Sequence, residues 1–129
     1  MKLFYLTLFA FLFLRPSPTG AVDIVAQLLG KGNVTELSKL FAAEVEIGVP
    51  GTDEDTYNKT AAADIITKFF AQNKPTGSKV LHKIATGNLQ YGVVILSTSK
   101  GQYRASFNVK EENGVTHLLK LLIEADKVK

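Results

Sequence analysis

Apolar and polar residues change their period along this chain. Up to about residue 72 the apolar ones recur mainly every three to four positions; from about residue 77 to residue 125 they alternate every two. The first spacing is that of amphipathic helices and the second that of half-buried strands. Ahead of both stands Leu3 to Leu14 (LFYLTLFAFLFL), an unbroken apolar run of twelve residues.

The helical part opens at Asp23, a capping residue type followed by Ile24, Val25, Leu28 and Leu29. Gly30-Lys31-Gly32 stops that helix. Asn33 caps a second, with Glu36 at capping-box spacing and Val34, Leu37, Leu40 and Phe41 on one stripe. A strand interrupts at Glu44–Val49, where Val45, Ile47 and Val49 face inward and Glu44 and Glu46 face water. Pro50-Gly51 turns the chain into a weaker strand around Asp55 to Asn58, anchored by Tyr57. Thr60 then caps a third helix running to about Gln72. Its broad apolar face is Ala62, Ile65, Ile66, Phe69 and Phe70, and Pro75 prevents continuation.

Four strands with short turns follow. Inward positions read as Val80, His82 and Ile84; then Tyr91, Val93 and Ile95; then Tyr103, Ala105, Phe107 and Val109; then Val115, His117, Leu119, Leu121 and Ile123. Val94, Leu96, Leu118 and Leu122 take the outward parity and form an apolar patch, from which a homodimer through the convex sheet face is expected. Helices gathered at one end and strands at the other make an α+β domain with an antiparallel sheet.

A chain of 129 residues with 46% apolar content is one domain with a real core. The formal charge is +3, but removing Lys2 and Arg15 from 15 basic residues leaves 13 against 12 acidic. A balance this close to neutral gives no electrostatic footprint for nucleic acid. Zero cysteine excludes disulfides, thiolate metal sites and a thiol nucleophile. Lys2, the run Leu3–Leu14, the breakers Pro16 and Pro18, and the small residues Thr19-Gly20-Ala21 read as a signal peptide over residues 1–21, cleaved near Ala21. The run is too short to span a bilayer, which takes about 20 residues. The expected mature domain is therefore 22–129, exported to the periplasm or beyond and without a membrane span.

Candidate chemistry is thin. Asp53-Glu54-Asp55 starts like a calcium loop, but Tyr57 and Asn58 occupy the positions that should ligate and turn. His82 and His117 fall on the first and last strands of the meander, about three strand spacings or 14 Å apart, too far to share zinc. No metal and no cofactor is expected. The inward parity of the strands holds no carboxylate, so a proton-transfer base could come only from the two histidines. No G-x-S-x-G elbow, H-E-x-x-H pair or glycine-rich phosphate loop occurs. Asn33-Val34-Thr35 and Asn58-Lys59-Thr60 match the glycosylation sequon, yet both coincide with helix caps.

In the order helix, helix, hairpin, long helix and four-strand meander, the chain resembles the nuclear transport factor 2-like (cystatin-like) superfamily. Tyr57-Asn58-Lys59, Phe69-Phe70-Ala71-Gln72-Asn73-Lys74-Pro75, Val80-Leu81-His82 and Gly101-Gln102-Tyr103-Arg104 are similar to stretches of a small exported bacterial family of unknown function within it. Val94 departs from that pattern, where glycine is expected, and Leu122 where a basic residue is expected. The resemblance implies a curved sheet wrapped around the long helix with a cavity in its concave face, and no established activity. Tyr57, Phe70, His82, Tyr91, Tyr103 and His117 are then the residues expected to line an amphipathic cavity. The leading expectation is non-catalytic binding of a small apolar or amphipathic ligand, or of a protein partner. The alternatives are a histidine-dependent isomerase or hydrolase-like enzyme in the cavity, and a purely structural homodimer.

Overall fold

The computed structural model of the chain describes residues 20–126. The expected signal run Leu3–Leu14 lies outside the described residues. Among the described residues, three helices and six strands follow one another: α1 Ala21–Lys31, α2 Val34–Ser38, β1 Phe41–Val49, β2 Thr52–Asn58, α3 Lys59–Gln72, β3 Pro75–Thr86, β4 Leu89–Thr98, β5 Gly101–Glu112 and β6 Val115–Ala125.

Several boundaries follow the local chemistry read from the sequence. Asn33 caps α2, accepting a hydrogen bond from the Glu36 backbone N–H at 3.1 Å. Gly32 ends α1 at φ 66°, where a side chain would be strained, and its N–H donates back to Leu29 O. Other boundaries move. α1 starts at Ala21 without a side-chain cap, and Asp23 instead pairs with Lys83 of β3 at 2.7 Å. The buried side of α1 is Ala21, Val22, Val25, Ala26 and Leu29, so Ile24 stands outside. α3 is capped two residues earlier than expected: Asn58, not Thr60, accepts from the Ala61 N–H at 2.8 Å. Phe41 belongs to β1 rather than to the second helix.

The strands form one curved, unclosed sheet in the order β2-β1-β6-β5-β4-β3. All pairs are antiparallel except β1 with β6. The hairpin and the meander thus join along β1 and β6, where Ile47 sits beside Leu121 and Gly48 beside Leu122. α1 packs against β3 and β4, and α3 against β1. Between helices and sheet lies one continuous core containing Val25, Leu29, Leu37, Phe41, Ile47, Ile66, Leu96, Phe107, Leu118, Leu121 and Ile123. Each such side chain contributes about 1.5–3 kcal/mol by leaving water.

Bulges in β3 and β6 each change which side chains face that core. In β3, Val80 pairs with Val94 but His82 pairs with Val93, so Leu81 is a bulge. In β6, Asn108 pairs with Lys120 but Val109 pairs with Leu118, so Leu119 is a bulge. Past each bulge the alternation inverts. β4 is inverted throughout relative to the sequence reading: Leu96 lies opposite Tyr103, Val94 opposite Ala105 and Gly92 opposite Phe107. Directly paired residues share a face, so Gly92, Val94 and Leu96 face the core. Gly92 also lets α1 approach: a Cβ there would meet Val22 Cγ1 at 2.7 Å and the Phe107 ring at 2.9 Å.

Candidate functional site

The consequences for the expected site residues are direct. Tyr103 keeps its inward place on β5, opposite the buried Leu96. Tyr91 does not; it pairs with Ile84 and Asn108 on the outer face and is 41% exposed. His82 follows Leu81 and turns outward, exposed on β3. His117, beyond the Leu119 bulge, pairs with Lys110, also on the outer face. Phe70 is 7% exposed and belongs to the core, and Tyr57 packs against that core with its hydroxyl donating to Asp53 O at 3.2 Å. The six residues therefore do not converge on one cavity, and the inward placement of Tyr91, His82 and His117 is corrected.

The expected dimer patch is corrected in the same way. Val94, Leu96 and Leu118 are each 0% exposed within the single chain and form part of its core. Only Leu122 remains on the outer face, beside Ser106.

What the inner face does build is a groove of about 590 Å³ at the end of the sheet where α3 finishes. The turn Val49-Pro50-Gly51-Thr52 forms one side, and the last two turns of α3, from Asp64 and Ile65 to Gln72 and Asn73, form the other. Tyr103 closes the inner end. Its hydroxyl donates to Asn73 Oδ1 at 2.8 Å, and the Asn73 amide donates in turn to Phe69 O at 3.0 Å. The Tyr103 ring meets Phe69 edge-on, with centroids 5.1 Å apart. Asn73 is the buried polar residue of the described chain, so this relay satisfies a carboxamide that would otherwise be costly inside the protein. The sequence singled out Tyr103 and Phe69 but passed over Asn73. Its signal was present: a polar residue following the apolar pair Phe69-Phe70, one helical turn beyond Phe69.

The groove therefore has apolar walls from Val49, Pro50, Ile65 and Phe69, and a rim from Asp64, Lys68 and Gln72. Asp64 and Lys68 pair across one turn of α3 at 3.2 Å, with both side chains well exposed. A lining that joins these apolar side chains to a larger share of polar surface suits an amphipathic molecule rather than a wholly apolar one. Among the described residues, no group of three or more His, Asp and Glu is arranged to hold a metal ion. No described helix is long and apolar enough to cross a membrane.

The outer face carries one electrostatically coupled cluster. Lys120 lies 3.9 Å from Glu46 and 3.5 Å from Glu54. A hydrogen bond between the two carboxyls raises the pKa of Glu46 above its ordinary value and lowers that of Glu54. Burial and the Glu54 and Asp55 charges add to the rise at Glu46 against the pull of Lys120, which in turn helps hold Glu54 down.

Comparison with known proteins places this geometry. Residues 22–124 match the family described as Domain of unknown function (DUF4783). The structure is similar to that of a DUF4783 family protein from Bacteroides ovatus, at 22% identity and a TM-score of 0.74, covering 86% of this chain and 96% of that one. It is similar to one from Bacteroides uniformis, at 18% identity and a TM-score of 0.73, covering 88% and 100%. An NTF2-like protein of unknown function from Cytophaga hutchinsonii matches at 15% identity and a TM-score of 0.56, covering 85% and 93%. No curated protein matches the chain. At these identities the likenesses establish the fold, an NTF2-like α+β domain.

Proposed function

The chain belongs to the DUF4783 family, and we propose that it works there as an exported, non-catalytic binding domain whose ligand enters the groove between α3, the β1–β2 turn and Tyr103. The observation that carries this reading is the joining of apolar walls to a polar rim around the Tyr103–Asn73 relay. The ligand class is a small amphipathic molecule: an apolar body against Ile65, Phe69 and Val49, with a polar head toward Asp64, Lys68 and Gln72. The histidine-dependent enzyme loses its support, since His82 and His117 stand on the outer face with β4 and β5 between their strands.

Anilinonaphthalene sulfonate is a suitable amphiphilic probe. It should bind the folded protein saturably, and Thr52→Trp should weaken it at least about tenfold, because the new ring fills the groove from an exposed position without touching the core. Unchanged binding by a Thr52→Trp protein with native near-ultraviolet circular dichroism overturns the proposal.

A further inference from the structure

The outer face of the sheet holds a recess independent of the groove. Its residues come from three adjacent strands in two rows. Tyr91, Asn108 and Lys120 are cross-strand neighbours in one row, and Ser106 and Leu122 lie side by side in the next. β5, in the middle, contributes the short polar side chains Ser106 and Asn108, while its neighbours contribute the longer Tyr91, Lys120 and Leu122. The result is a trough of about 210 Å³ running over β5. The strands carrying its two walls are two spacings apart, about 10 Å.

The composition of the trough is unusual for the middle of a sheet. Asparagine is depleted in strands, where β-branched and aromatic residues pack better. Here Asn108 stands on an inner strand of a six-stranded sheet. Tyr91 offers a ring flank and Leu122 an apolar wall. Ser106 supplies a hydroxyl and Asn108 a carboxamide that both donates and accepts. Lys120 brings an ammonium whose charge is already met by Glu46 and Glu54.

We propose that this trough is a subsite for one ring of a neutral saccharide. A pyranose ring presents C–H groups on its faces and hydroxyls around its rim. The first suit Tyr91 and Leu122; the second suit Asn108, Ser106 and the free donors of Lys120. An anion is disfavoured because two carboxylates flank the lysine. An acyl chain is disfavoured because it would leave the Ser106 hydroxyl and the Asn108 carboxamide unpaired.

The test is a set of amide chemical-shift titrations with maltose, cellobiose and lactose, with glucuronate and cyclohexanol as controls. At least one neutral sugar should shift residues 91, 106, 108 and 120 saturably at millimolar concentration. Tyr91→Ala and Asn108→Leu should each weaken that binding about tenfold with little change in stability, both being outward-facing. Thr52→Trp should leave it unchanged, which separates this site from the groove on the other face. Four outcomes overturn the proposal: no saturable shift with any of the three sugars; tighter binding of glucuronate or cyclohexanol; indifference to both trough substitutions; or light scattering that shows a dimer which Tyr91→Ala returns to monomer.

Discussion

Tyr103 shows how one hydroxyl divides its role between structure and site. Its bond to Asn73 spans α3 and β5, so Tyr103→Phe should strand the Asn73 carboxamide and cost about 1 kcal/mol, read as a lower urea midpoint. Unchanged stability would mean that water replaces the hydroxyl freely. Its place in the chain was legible because β5 alternates cleanly, polar against apolar. Tyr91 was not legible, because β4 is apolar on both faces and its own pattern cannot choose between them. Glu46 and Glu54 are a further residue-level case, visible only once β1 and β2 pair. Because the pKa of Glu46 is raised, its contribution to stability is present below the ordinary carboxyl range and fades as pH rises through the raised value. Glu54, lowered, behaves oppositely and loses its contribution as pH falls. The two share a proton between the lowered value of Glu54 and the raised value of Glu46. Glu54→Ala should bring the Glu46 titration down, as followed by carboxyl-carbon resonances; a Glu46 titration that stays put would dismiss the shared proton.

Bulges decide the character of whole strands. Leu81 in β3 and Leu119 in β6 each add one residue to a pairing whose side chains otherwise alternate. Leu118 consequently points into the core at 0% exposure, while His117 points away from it. Leu118→Lys would bury an unpaired charge, so it should destabilise the domain by about 3 kcal/mol or more. Leu122→Lys, one face over, should change stability far less. Thermal denaturation of the two variants side by side checks the placement; equal loss, or a stable Leu118→Lys protein, would contradict it. β4 could have been read correctly from its turn. Ser99-Lys100 is a two-residue connection, and pairing Thr98 with Gly101 across it sets Leu96 against Tyr103. The clean face of β5 then assigns the ambiguous faces of β4.

For the molecule as a whole, export is the prediction that rests on sequence alone. Intact-mass measurement of the extracytoplasmic fraction should find a chain starting near Val22; a species retaining Met1 in the membrane fraction would refute cleavage. The linear order of elements was already determined by local chemistry: the Asn33 cap, the Gly32 stop, the alternation of β1 and β5, and the apolar face of α3. That order carried the α+β class, and its resemblance to the NTF2-like superfamily supplied the architecture of a curved sheet around the long helix. The facing of the residues beyond the bulges in β3 and β6, and the convergence of separate elements on the groove and the outer trough, were decided only by tertiary structure. Alternation is a reliable guide to facing only while every residue has a partner across the strand. One unpaired residue reverses every side chain beyond it, and a strand apolar on both sides takes its facing from the neighbour against which it pairs.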